Sequence, residues 1–202
     1  MSHCFKPGKH LDSWHTEQQF RRITHDGKVL PQVAVAGRSN AGKSSLINCL
    51  LGPQCAFVSK TPGKTRAVEV FTCKAKMLWI DLPGYGFARR SAQEREHWGR
   101  LIDAYLNSSP DLVGIVIIVD ARHPPFALDM AMLEWAESRG IPYLLVLNKW
   151  DACNQSTRAR VLKDWERWPA ANKLRVSCKT ATGIDDIEHI VQKWIGDASS
   201  QR

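Results

Sequence analysis

Nothing in this 202-residue chain is long and apolar enough to cross a membrane: its longest uninterrupted apolar run, Leu112 to Val119, has eight residues, where a spanning helix needs about 20. The opening residues, MSHCFKPGKH, also lack the apolar block of a signal peptide, so a cytoplasmic location is expected. Paired cysteines are missing. Six cysteines (Cys4, Cys49, Cys55, Cys73, Cys153 and Cys178) are scattered without a CxxC spacing, and a chain able to build its own core rarely needs a disulfide framework, so reduced thiols are expected. No histidine pair has a metal-ligand spacing, although His3, His10, His15 and His25 crowd the start of the chain. Acidic residues are in deficit, 20 against 28 Lys plus Arg, and the formal charge of +8 favours an anionic partner. What is present suits one globular domain with a well-buried interior: 44% hydrophobic and 24% charged residues.

Repeats and low-complexity stretches are absent too. From Pro31 onward, short apolar runs alternate with longer amphipathic ones, the signature of a largely parallel sheet wrapped by helices. The pattern predicts strands at 32–36, 67–73, 77–81, 112–120, 143–147 and 174–177, and helices at 43–51, 92–106, 127–139, 157–168 and 184–195. Only Lys74 to Lys76 separate the second and third strands, too few residues for a crossover helix, so that pair is an expected hairpin with one antiparallel edge strand. The result is an α/β three-layer fold with six strands and helices on both faces. Residues 1–30 form an N-terminal segment packing on or preceding the main domain of 31–196, and 197–202 form a short tail; both ends are weakly patterned and expected to be mobile. Most of the eight tryptophans fall within strands or on helical stripes and read as core. In the helix at 157–168, Val161, Leu162 and Trp165 share one stripe, and Arg160, Lys163 and Arg167 share another.

The strongest local motif is Gly37-Arg38-Ser39-Asn40-Ala41-Gly42-Lys43-Ser44, which fits GxxxxGK[ST] between a predicted strand and a predicted helix. Its glycines let the backbone bend around a phosphate, so that amide N–H groups and the helix N-terminus, including Ser45, face anionic oxygens. Lys43 is expected to reach the β and γ phosphates and Ser44 to bind Mg²⁺. A second motif, Asp81-Leu82-Pro83-Gly84, ends an apolar strand and places an acid for the Mg²⁺ shell and a glycine N–H for the γ-phosphate. The third, Asn148-Lys149-Trp150-Asp151, selects the base. A carboxylate accepts two parallel hydrogen bonds from the N1–H and amino group of guanine, whereas adenine offers it no such pair. Lys149 is expected to lie over the base, Asn148 to tie this loop to the P-loop, and Trp150 to shield one side of the pocket. Ser177-Cys178-Lys179 can donate backbone N–H groups to the guanine O6.

Taken in order, GRSNAGKSSLIN, TPGKT, DLPGYGFA, DARHP, NKWD and SCK resemble the bacterial EngB (YihA/YsxC) ribosome-biogenesis GTPases, within the TrmE-Era-EngA-YihA-septin group of Ras-like P-loop GTPases. The likeness spans about Phe5 to Trp194. The P-loop and NKxD elements are generic to GTPases; DLPGYG with Phe87-Ala88, and Asp120-Ala121-Arg122-His123-Pro124, are more specific. Asn148 departs from the Thr frequent in the family and moves the motif toward the generic GTPase form. The resemblance implies binding of GTP and GDP with Mg²⁺ and association with the large ribosomal subunit, its rRNA and proteins. It also implies a role in late 50S assembly and in normal cell division and growth, and a monomer without membrane attachment. It implies further that Gly63, Lys64, Thr65, Arg66 and Ala67 face the nucleotide, with Thr65 joining Ser44 and Asp81 on Mg²⁺; Thr61 is the competing candidate. Asn40 matches a position that holds K⁺ in related GTPases, or it serves the turn geometry alone.

Tyr85 stands where efficient GTPases carry a water-orienting Gln, so slow intrinsic turnover is expected. Lys60, Lys64, Arg66, Arg89 and Arg90 are either basic switch surfaces facing RNA or solvated loop charges. A GTPase acting on a protein or membrane partner is the second reading, and a P-loop kinase the third, disfavoured by NKWD.

Overall fold

The computed structural model describes residues 5–56, 67–74, 76–85 and 92–200. The elements begin with β1 (Gly8–Trp14), β2 (Thr24–His25), β3 (Lys28–Val29), β4 (Gln32–Ala36), α1 (Lys43–Leu51), β5 (Val68–Cys73) and β6 (Met77–Asp81). They continue with α2 (Ala92–Ser108), β7 (Leu112–Asp120), α3 (Ala127–Ser138), β8 (Tyr143–Asn148), α4 (Gln155–Asp164), β9 (Lys173–Arg175) and α5 (Ile184–Ser200). The main sheet has the order β1-β5-β6-β4-β7-β8-β9. Strands β6, β4, β7, β8 and β9 run parallel, while β5 is antiparallel to both β6 and β1.

Successive side chains of a strand point to opposite faces, so the buried runs feed two apolar layers. Val33, Val35, Trp79, Val116, Ile118, Leu144 and Val146 pack with Leu46, Ile47 and Leu50 of α1 and Ile187 and Val191 of α5. On the other face Ala34, Ala36, Ile80, Ile115, Ile117, Leu145 and Leu147 meet Tyr105 of α2, Leu133 of α3 and Val161 of α4. Trp194 of α5 packs against β7 at Gly114, where any Cβ would collide with its ring. Every parallel strand therefore ends, at its C-terminal end, on the same rim of the sheet, where α/β proteins build ligand sites.

Among the described residues the sheet has seven strands rather than the expected six. The extra one, β1, comes from the segment before Pro31 and pairs with β5 from Gly8↔Cys73 to Trp14↔Val68, so β1 and not β5 is the edge. Its far end is fixed by Trp14, whose Nε1 donates to Asp12 at 2.8 Å and whose ring lies 5.6 Å from Phe20. Further along, Asp26 and Gly27, both at positive φ, turn the β2–β3 hairpin. The C-terminal segment is likewise more regular than expected, since α5 continues past Gly196 to Ser200.

Smaller differences are local. Helix α4 starts earlier, at the cap where Asn154 accepts the Thr157 N–H at 2.9 Å, and ends at Asp164. Trp165 and Trp168 follow it and are buried, but Leu162 is 47% exposed and leaves the expected apolar stripe. Trp14 and Trp79 are buried as well. Cys49, Cys55, Cys73, Cys153 and Cys178 form no disulfide among the described residues. Among the described residues, no helix is long and apolar enough to cross a membrane.

Candidate nucleotide site

The rim carries the three motifs at the ends of β4, β6 and β8. After β4 the chain turns through Gly37–Gly42 into α1. Gly42 has φ +113, and a Cβ there would run into the Asn148 amide; at Gly37 a Cβ would strike the Ile118 carbonyl. Both positions thus need glycine for space. Asn40 is exposed and takes the left-handed φ of +65. Lys43 is buried and donates to the carbonyls of Gly37 (3.1 Å) and Arg38 (3.3 Å). Burial pulls its pKa down, and the neighbouring Asp81 opposes this.

Asp81 closes β6 and is itself buried. Burial pushes its carboxyl up to about 6, with Glu69 adding to the rise and Lys43 and Ser44 opposing it. The Ser44 hydroxyl reaches Asp81 Oδ2 at 3.5 Å, while Oδ1 is buried with no hydrogen-bond partner among the described residues. An orphaned carboxylate oxygen beside a hydroxyl is a donor set that suits a small, hard divalent cation keeping much of its water. Leu82 and Pro83 are buried, with the Leu82 N–H held by the Val35 carbonyl at 3.0 Å. Gly84 lies against Lys43 and Ser39, each within 2.8 Å of where its Cβ would stand.

On the base side, the buried Asn148 donates to the Ala41 carbonyl at 2.8 Å and accepts the Cys178 N–H at 3.3 Å. Lys149, at φ +62, donates to the Asn40 carbonyl at 2.6 Å and to Asp120 at 2.8 Å. Burial raises the Asp120 carboxyl, but the Arg122 and Lys149 hydrogen bonds outweigh it and hold the pKa at about 2. A cavity of about 370 Å³ opens beside these groups, lined by Gly42, Ser45, Asn148, Lys149, Asp151, Ala152, Cys178 and Lys179. Ser177 is buried beneath it and braces the loop by accepting the Thr180 N–H at 3.2 Å.

Two of the expected residues are not among those that line this cavity. Trp150 does not line the cavity: its ring packs on the core and faces the guanidiniums of Arg158 (5.5 Å) and Arg175 (5.8 Å). Ala67 is buried at the entry to β5. Thr61, Gly63, Lys64, Thr65 and Arg66, with Lys60, Phe87, Ala88, Arg89 and Arg90, lie outside the described residues. Sequence reasoning missed Asp120 as the anchor of Lys149, although an acid ending a strand one over from the P-loop strand is a usable signal. It also missed Asp129, which accepts the Tyr85 hydroxyl at 2.8 Å.

This arrangement aligns with solved structures at the level of fold. A crystal structure of a probable GTP-binding protein EngB gives a TM-score of 0.67 at 22% identity, covering 82% of this chain and 99% of that one. Era of Aquifex aeolicus bound to GDP and AlF₄⁻ gives 0.63 at 20% identity, covering 82% and 56%. Residues 32–149, which hold both the P-loop and the start of the base motif, match the family model described as 50S ribosome-binding GTPase. Fold, motif order and family model define a P-loop GTPase.

Two curated relatives narrow this further: the probable GTP-binding protein EngB of Pelotomaculum thermopropionicum is 40% identical over 83% of this chain and 87% of its own length, and that of Nitrosomonas europaea 35% over 96% and 90%. The chain belongs to the EngB family of GTP-binding proteins.

Two outcomes follow from the charges. A carboxyl whose folded pKa lies above its unfolded value holds an extra proton in the native state between about pH 4 and about pH 6, so its ionisation costs stability as pH rises through that window. Asp81→Asn is therefore expected to stabilise the nucleotide-free protein near pH 7 by on the order of 1–3 kcal/mol. That gain should fade toward pH 4, with urea unfolding at both pH values as the check. Asp151→Asn is expected to weaken GTP binding by at least ~100-fold and to admit a xanthine nucleotide, whose 2-oxo group suits an amide donor. Competition binding with GTP and XTP measures both.

Proposed function

We propose that this GTPase is a nucleotide-gated factor in late assembly of the 50S ribosomal subunit, cytoplasmic and monomeric, and needed for normal growth and cell division. The observation that carries the reading is the match of residues 32–149 to the 50S ribosome-binding GTPase model, joined to relatives described as EngB that cover 83% and 96% of this chain. The basic balance of +8 favours a nucleic-acid partner, and Arg158, Arg160, Lys163 and Arg167 lie in or just after α4 on the exterior.

Within the site, the P-loop, Lys43 and Gly84 bind the phosphates, and Asp151 with the Asn148-braced loop reads guanine. Ser44 and Asp81 are the described residues that would hold Mg²⁺, with Thr65 as the further ligand that the family resemblance implies. When bound, Mg²⁺ offsets charge on the β and γ phosphates. Lys43, desolvated and fixed by two carbonyls, adds charge stabilisation where the transferring phosphoryl develops it. Tyr85 supplies no water-orienting amide, and its hydroxyl is occupied by Asp129, which supports slow unaided turnover. Asn40 is the residue that would help hold K⁺, and hydrolysis is then expected to be faster in KCl than in NaCl at equal ionic strength, read as phosphate release.

Co-sedimentation with purified 50S subunits, comparing GDP with a non-hydrolysable GTP analogue across a salt series, tests the central claim. Binding with the analogue that falls steeply as salt rises is expected, because phosphate contacts release counterions. Absence of binding in both states, with guanine nucleotide still bound, would move the partner away from the ribosome.

A further inference from the structure

Tyr85 and Asp129 form a contact that nucleotide binding does not by itself require. Tyr85 follows Gly84 directly, and its backbone is joined to the P-loop. It forms an isolated bridge with Arg38, and its carbonyl accepts the Ser39 N–H at 3.1 Å. The Ser39 hydroxyl also donates to the Gly84 carbonyl at 3.3 Å. From this backbone the Tyr85 side chain reaches α3, where its hydroxyl donates to Asp129 Oδ1 at 2.8 Å.

Asp129 is an expensive residue to place there. It is buried in the first turn of α3, and its other oxygen accepts the Phe126 N–H at 3.3 Å. Burial pushes its carboxyl up, and the Tyr85 hydroxyl and the Arg38 guanidinium work against that. Arg38, the second P-loop residue, sits 3.3 Å from the centroid of the Phe126 ring, so the P-loop and the N-terminus of α3 touch a second time. The contacts close a circuit: P-loop to Phe126, Phe126 to Asp129, Asp129 to Tyr85, and Tyr85 back to the P-loop. Helix α3 rests on β7 and β8, so the anchor is the body of the sheet.

We propose that Tyr85 and Asp129 are positioning residues whose hydrogen bond holds Gly84 beside Lys43, so that the affinity for a nucleoside triphosphate relative to a diphosphate depends on α3. The inference rests on the GTP reading of the site. Gly84 already lies against Lys43 and Ser39, at the end of the P-loop where a third phosphate arrives. A glycine N–H held there needs no ordering when that phosphate binds, whereas a released one must be fixed at the moment of binding. The diphosphate, which does not reach Gly84, is indifferent to the contact. Asp129 takes this role through Tyr85, whose hydroxyl it holds.

The test measures affinities for GDP and for a non-hydrolysable GTP analogue by competition against a fluorescent GDP. Tyr85→Phe removes only the hydroxyl, and Asp129→Ala removes the acceptor. Each is expected to weaken the triphosphate analogue about tenfold while leaving GDP within about twofold. The double variant should be no weaker than Asp129→Ala alone, because that change already breaks the bond that Tyr85→Phe removes. Asp129→Asn keeps one acceptor oxygen, which can serve the tyrosine hydroxyl or the Phe126 N–H but not both, and should recover only part of the loss. Equal weakening of both nucleotides would make the contact merely structural and overturn the proposal, as would an unchanged Tyr85→Phe. Failure of the unaltered protein to bind either guanine nucleotide would refute the GTP reading instead.

Discussion

The site hangs on one buried amide. Asn148 spends its Nδ2 on the Ala41 carbonyl and its Oδ1 on the Cys178 N–H, so a single planar group fixes the P-loop, the end of β8 and the loop after β9 relative to one another. An amide suits the task because it donates on one side and accepts on the other, and a buried donor or acceptor left unpaired is costly. Both ends of the junction are therefore held by the same penalty. Gly42 completes it by absence: its missing Cβ is the space that the Asn148 amide occupies. Lys149 repeats the connection one residue on, linking Asn40 to Asp120. The loops around the base cavity are thus tied together by the protein's own hydrogen bonds, which lowers what binding must spend on ordering them.

The phosphate side follows a different logic. Lys43 and Asp81 are buried, each depends on partners the fold supplies only in part, and one oxygen of Asp81 has none among the described residues. Buried charges with incomplete partners lower stability, and proteins keep them where a ligand completes the set. The base side is satisfied within the protein, and the phosphate side awaits its ligand. That asymmetry fits a molecule whose base recognition is constant while its phosphate contacts change between states.

Much of this was legible in the sequence for a physical reason. The P-loop, Asp81 and the Asn148–Asp151 run each follow a strand buried on both faces, where a continuous apolar stretch ends abruptly in polar and turn residues. Such strands announce themselves. Strand β1 does not, because it lies at an edge with one side open and a register shift between His10 and Asp12 that breaks the period of two. Trp150 misled for a local reason: its neighbour Lys149 takes a left-handed backbone, and the chain turns the indole toward the core instead of the cavity. The Tyr85–Asp129 bond was beyond reach, since nothing local pairs residues on a loop and a helix that only the strand order brings together.

The placement of β1 also bears on how the molecule behaves among its own copies. A sheet whose outermost strand is long, flat and apolar invites another chain to add to it, and the end state of that addition is a fibril or a precipitate. Here one outer strand carries Lys9 and Asp12 and is kinked between them, while the opposite one, β9, is three residues long. Neither margin offers a template on which sheet growth would proceed. Colloidal stability is in this sense written into the two borders of the sheet, leaving the rim between them free to be as polar and as reactive as its chemistry demands.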